Sequence, residues 1–293
     1  VEADLTGPDD GSPVPLAVPD PRGTLYVVST PIGNLGDFTF RAVETLRGVA
    51  AVLAEDTRHT MTLLRRYDIQ TALVAYHEHN EAKTTPGLIA RLEAGESFAL
   101  VSDAGTPLLS DPGARLVRGA IDAGLRVSPV PGASALLSAL VAAGVALDRF
   151  TFFGFLARKG AERRDAVEQL ASLRHAAVLY EAPGRVADTL AELARAGAAD
   201  RSAVVARELT KQFEEVRRGT VADLAAYYHH APPRGEVVLV IAGAAAPAGA
   251  SEEMLRARAA SLHAEGRSAR DIAAALTAEL GAPRNLAYRL AHE

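Results

Sequence analysis

Small, acidic and basic side chains recur in this chain where runs of apolar residues stop. The densest case is residues 100–113, LVSDAGTPLLSDPG. An apolar strand breaks there into Ser102, Asp103, Ala104, Gly105, Thr106 and Pro107, a loop of the kind that builds a ligand site beyond the carboxyl end of a strand. A second turn, Ser110-Asp111-Pro112-Gly113, reads as a helix start, with Asp111 as N-cap and Pro112 as first helical residue. Similar loops follow at Pro31, at Gly132, at Glu181 and at Arg207. Glu208 lies between Arg207 and Lys211, cations that would keep it ionised. Five such ends on alternating strands point to a single cleft.

Other chemistries lack their residues. The chain has no GxxxxGK[ST], HExxH or GxSxG, and no GxGxxG follows its first strand, which argues against P-loop, zincin, α/β-hydrolase and dinucleotide sites. The absence of cysteine removes disulfides and thiolate chemistry and suits a cytoplasmic protein. His77 and His79 have metal-ligand spacing without a third ligand in view, so a polar loop is expected and no metal. Arg158, Lys159, Arg163 and Arg164 follow an aromatic strand; they fit either a solvated helix start or a grip on phosphates.

The elements that position these loops alternate. Apolar runs at 24–29, 51–54, 73–76, 98–101 and 125–128 read as strands, with helices at 38–47 (capped by Asp37), about 88–92, and 114–121. Beyond a hinge near 129–132, further strands are expected at 150–155, 177–180, 203–206, 212–217 and 237–241, with Thr220 capping a helix to about 228. This alternation predicts an α/β protein with largely parallel sheets. Residues 243–250 read as a linker. The rest carries helical patterns only, including two helices around Gly281-Ala282-Pro283 with Ser268 as a cap, a helix-turn-helix-like shape.

With 293 residues, 48% of them hydrophobic, the chain can bury more than one core, and its net charge of −5 speaks against generic nucleic-acid binding. Residues 1–22 lack the basic and apolar regions of a secretory leader and are expected to form a disordered tail. No apolar run is long enough to span a membrane. The expected domains are therefore an N-terminal lobe at 23–130, a C-terminal lobe at 131–245 and a helical domain at 251–293.

In order, TPIGNLGDFTFRA, AEDTRHT, YHEHNE, LVSDAGTPLLSDPG, PVPGASA, FFGFLARKG, YEAPGR and ARELTK resemble the ribosomal small-subunit RNA cytidine 2′-O-methyltransferases. These form a branch of the tetrapyrrole-methylase-like S-adenosylmethionine enzymes. Gly184 stands where that family's pattern would place His. The resemblance implies a two-lobed class III methyltransferase fold with a small C-terminal helical domain. It also implies a homodimer, and S-adenosylmethionine held in the cleft between the lobes. Carried over by position, the cofactor contacts are Pro31, Ile32, Asp103, Gly105, Thr106, Ser134, Ala135, Tyr180, Ala206 and Gly235. Glu208, Asp56 and His77 are candidate proton acceptors for an attacking ribose hydroxyl. Arg58, Lys159, Arg185 and Lys211 are candidate phosphate contacts on ribosomal RNA within the small subunit. The competing readings are a methyltransferase acting on a porphyrin- or corrin-like ring and a non-catalytic ribosome-assembly module.

Overall fold

The computed structural model describes residues 22–244 and 250–293; the expected tail at 1–21 and most of the expected linker lie outside them. The described chain divides into two units, one carrying both sheets and one formed by 172–174 with 243–293.

In the first sheet the apolar runs become five strands: β1 (Thr24–Val28), β2 (Ala51–Ala54), β3 (Leu73–Ala75), β4 (Phe98–Val101) and β5 (Arg126–Val130). All pair in parallel, in the order β3-β2-β4-β1-β5. Such a sheet must be covered on both faces, which is why β2 and β4 are buried at every position. One face packs Leu46 of α1 (Phe40–Gly48) and Leu63 and Leu64 of α2 (Thr57–Arg66). The other packs Leu88 and Leu92 of α3 (Glu81–Glu93) and Leu116 of α4 (Ala114–Asp122). The neighbouring strands β1 and β4 therefore send their helices to opposite faces. The loops after them part at a topological switch point, the usual place for a ligand crevice in such sheets.

Several local expectations are corrected. Thr39, not Asp37, caps α1, because Asn34 first turns residues 35–37 into a short tight helix. The helix expected at 88–92 begins at Glu81 and runs through Pro86, its sixth residue, which has no N–H to make the i→i−4 bond of that turn.

The second sheet holds β6 (Phe150–Phe155), β7 (Ala176–Glu181), β8 (Ser202–Arg207), β9 (Glu215–Thr220) and β10 (Val237–Ile241), in the order β6-β7-β10-β8-β9. Only β6 and β7 pair in parallel; β10 runs antiparallel to both β7 and β8, and β9 antiparallel to β8. The expected parallel character thus fails here. Continuous apolar runs mark burial on two faces, which is as compatible with a covered antiparallel strand. Helix α5 (Ala135–Ala143) follows β5 of the first sheet yet packs Leu136, Ala139 and Leu140 on Val178, Val204 and Val240 of the second. On the opposite face lies α7 (Val186–Leu193), which comes between α6 (Ala161–Ser172) and α8 (Val221–His230) in the chain and whose Thr189 hydroxyl donates to Glu181 at 2.6 Å.

The smaller unit is three helices, α9 (Glu252–Ala264), α10 (Ala269–Leu280) and α11 (Arg284–Leu290), around Leu255, Leu262, Ile272, Leu276 and Leu290. Ser268 caps α10 by accepting from the Asp271 N–H, and Gly281 ends it in the left-handed conformation that glycine adopts without strain. Arg256, Arg258, Arg267 and Arg289 all pair with acids of the same unit, which leaves it with little unbalanced charge.

Candidate functional site

At the switch point the loops after β1 and β4 are tied backbone to backbone. Thr30 donates to the Gly105 carbonyl at 2.8 Å, and Gly105 returns a bond to Thr30 at 3.0 Å. Gly105 sits at φ +80°, where a Cβ would come within 3.2 Å of Ile32, so a side chain would be both strained and crowded. Thr106 is fixed by Ser29 at 3.1 Å and the Ala133 carbonyl at 3.2 Å. The Asp103 carboxylate accepts from the Asp56 N–H at 3.1 Å, joining the ends of β2 and β4.

These loops form one wall of a cavity of about 470 Å³. The opposite wall comes from the second sheet, where Gly235 to Val238 lie beside the carboxyl ends of β7 and β8 because β10 runs the other way. The size suits a nucleoside-sized ligand. Of the residues carried over as cofactor contacts, Ile32, Asp103, Gly105, Thr106, Ala135, Tyr180 and Gly235 line it. Pro31, Ser134 and Ala206 do not. Ser134 caps α5 instead, and Ala206 is fully buried against that helix. Tyr180 meets Phe152 edge-on at 5.0 Å and Phe155 at 5.5 Å; Phe155 is 58% exposed at the cavity wall.

The wall carries Glu55, Asp103, Asp111, Glu181 and Glu236 and not one Lys or Arg. Glu181 is consumed by structure: its carboxylate takes the Ala182 N–H at 2.9 Å and the Thr189 hydroxyl, with Arg185 3.4 Å away. Burial, then the nearby Asp103, raises the Glu55 carboxyl, while His77 opposes the rise. Burial and then Glu55 push Asp111 up to about 6. Glu181 has Arg185 and Glu236 has Lys211 as a partner. Glu55, Asp103 and Asp111 are paired with no Lys or Arg among the described residues, and such a cluster of acids favours a cationic ligand.

Asp111 is where the sequence misleads most. It caps nothing: α4 begins after Gly113, at φ +121°, without a side-chain cap. Two residues nearby, Leu108 and Ser110, take left-handed φ of 75° and 73°. That strained path turns Asp111 into the cavity. Asp-Pro is ordinary helix-start grammar, and only the doubled turn before it hinted otherwise.

The three candidate proton acceptors lie off the cavity lining. Asp56 caps α2 through the Arg58 N–H at 2.8 Å and holds the Arg58 guanidinium at 2.7 Å; those bonds keep its carboxyl far below the usual range. Glu208 accepts from the Glu236 N–H and from Lys211, each at 3.0 Å, and both bonds hold it low. The His77 Nδ1 is buried without a partner.

Among the candidate phosphate contacts, Lys159 is exposed and Arg58 is exposed but shared with Asp56. Arg185 instead braces the ends of β6 and β7, donating to the Leu156 and Ala157 carbonyls at 3.2 and 3.1 Å. Lys211 bridges Glu208 and Glu236 and lies against Gly33, at φ +146°, where a Cβ would fall 2.4 Å from the lysine Cγ. Both are ties within the site rather than free cations.

Among the described residues no group of three His, Asp or Glu could hold a metal, and no helix is long and apolar enough to cross a membrane.

Residues 24–225 match the family described as Tetrapyrrole (Corrin/Porphyrin) Methylases. A protein of Synechocystis sp., Ribosomal RNA small subunit methyltransferase I, is 47% identical over 92% of this chain and 98% of its own. The protein of that name from Xylella fastidiosa is 48% identical over 91% and 98%. The fold is shared with the Thermus thermophilus uroporphyrin-III C-methyltransferase, solved with S-adenosyl homocysteine. That match has a TM-score of 0.54 and 18% identity, over 75% of this chain and 97% of the other.

Proposed function

As a member of the tetrapyrrole (corrin/porphyrin) methylase family, this chain is, we propose, the enzyme that methylates a cytidine ribose 2′-hydroxyl in small-subunit ribosomal RNA with S-adenosylmethionine. One observation carries the choice of substrate. The likeness to ribosomal RNA methyltransferases runs over nearly the whole chain, whereas the uroporphyrin enzyme leaves a quarter of it without a counterpart.

The cavity fits the cofactor on chemical grounds. S-adenosylmethionine brings a methyl group on a positively charged sulfur, and the acidic wall is matched to that charge. Ile32, Gly105, Thr106 and Ala135 hold it by close backbone approach, Asp103 supplies a carboxylate, and Tyr180 supplies an aromatic wall. The attacking hydroxyl needs an in-line approach, so the protein's work is alignment and exclusion of water. Phe155, exposed beside Tyr180, offers the incoming nucleoside a face to stack on. Lys159 and Arg58 then meet the RNA backbone. The enzyme acts in the cytoplasm on the small subunit and as a homodimer; Leu137 and Val141, exposed on α5, support a second copy there.

The test is incubation with radiolabelled S-adenosylmethionine and small ribosomal subunits, followed by digestion of the RNA to nucleosides. Label in 2′-O-methylcytidine is expected. Absence of label in RNA, with cofactor binding intact, would redirect the reading to a small-molecule acceptor.

A further inference from the structure

Resting on that reading, we propose that Asp111 is the catalytic base of this enzyme, taking the proton from the attacking 2′-hydroxyl. The oxygen–methyl bond forms as the sulfur–methyl bond breaks, the electron pair of the latter stays on sulfur as a neutral thioether, and the hydroxyl proton ends on the Asp111 carboxylate.

Three independent features of the chain lead there. First, the backbone sacrifices a helix cap and accepts two left-handed non-glycine residues, Leu108 and Ser110, to aim Asp111 into the cavity. Strain of this kind persists where surrounding structure enforces a function. Second, the Asp111 loop touches the nucleoside's route of entry. The Ser110 hydroxyl lies 3.0 Å from where a Cβ would stand on Gly154, the neighbour of exposed Phe155. Third, of the other acids on this wall all but Glu55, at the end of β2, are committed. Asp103 accepts the Asp56 N–H, Glu181 is bonded to Thr189, and Glu208 and Glu236 share Lys211.

The groups facing Asp111 set its titration. Glu55 from the end of β2 and Asp103 from its own loop repel its charge, Ser102 stabilises it by a hydrogen bond, and burial dominates; no Lys or Arg lines that wall. Tyr180 of β7 feels the Asp111 charge in return. A carboxylate poised at about 6 is largely ionised at neutral pH, yet more basic than an ordinary Asp. The carboxylates interact, so an observed midpoint belongs to the Glu55–Asp111 pair.

The decisive experiment is single-turnover methyl transfer to small ribosomal subunits between about pH 5 and 8, with calorimetry of S-adenosylmethionine binding alongside. Wild type should lose rate below about pH 6 as Asp111 takes up a proton. D111N should lose on the order of 10²-fold in rate and the acid limb with it, while retaining cofactor affinity within about threefold. E55Q removes a repelling charge, so it should move the limb to lower pH. The assignment is overturned if D111N keeps its rate or its limb, if folded D111N loses cofactor affinity, or if E55Q abolishes the limb that D111N merely shifts. Should D111N not fold, the direction of the E55Q shift decides. A wild type that labels no RNA cytidine would count against the substrate reading instead.

Discussion

Two acids at strand-end loops, Glu208 after β8 and Asp111 after β4, stand in opposite environments. Around Glu208 the chain has gathered Lys211 and the Glu236 N–H, and the carboxyl is held low. Around Asp111 it has gathered Glu55, Asp103 and burial, and the carboxyl is held high. One is a fastener between the ends of β8 and β10, sharing a lysine that lies over Gly33; the other is an unneutralised charge facing a cavity. An acid available for chemistry is recognised by the partners it lacks.

The sharpest way to break the contrast is K211A. It leaves Glu208 and Glu236 without their shared cation and removes the aliphatic stem that covers Gly33. Because these groups are partly exposed, the expected loss is about 2 kcal/mol rather than the larger cost of a fully buried pair. Denaturant unfolding measures it, and cofactor affinity should fall as well.

A smaller effect of opposite sign tests the other loop. The native Asp111 carboxyl titrates above its unfolded value, so its contribution to stability is lost as pH rises through about 6. D111N is then expected to be more stable than wild type at about pH 7.5, by about 1 kcal/mol once solvent screening is allowed for, and no more stable at about pH 4. Glu208 runs the other way: its contribution is present above its unfolded value and fades as acid protonates it, so E208Q should erase part of the acid-side loss of stability. Paired melting curves against pH would show both slopes.

The smallest effect is expected at Gly184, where a Cβ meets nothing within 4 Å and the residue is exposed. G184H should leave stability within about 0.5 kcal/mol. A larger change would mean that the β7 loop, fixed by Glu181 and Arg185, is more sensitive than its geometry indicates.

Much of the first lobe could be read directly. Continuous apolar runs ending in small polar loops identify β1, β2 and β4, and the loops at Pro31 and Asp103, residues of which line the cavity, stand out in the sequence because neither suits ordinary turn chemistry. Strand direction in the second sheet was not legible, since pairing depends on partners far away in the chain, such as Val237 beside both Glu181 and Arg207. The acids were harder still. Asp56 and Glu208 attract notice by their charged neighbours, yet those neighbours neutralise them. Glu55 and Asp111 look ordinary locally, and only folding brings them to one wall. The order of the helices after β1 and β4, which creates the crevice, is likewise a property of topology rather than of either loop.

The position of β10 has a consequence for biosynthesis. Although last of the strands to be made, it lies in the middle of its sheet, between β7 and β8. A growing polypeptide can complete the first sheet once residue 130 is available, but β7 and β8 have no shared neighbour until Val237–Ile241 arrives. Gly235 and Val238 complete the cavity wall in the same event. A nascent chain stopped before them has its first lobe ready and its second open, so activity should appear late and abruptly during synthesis, as the final strand slots home.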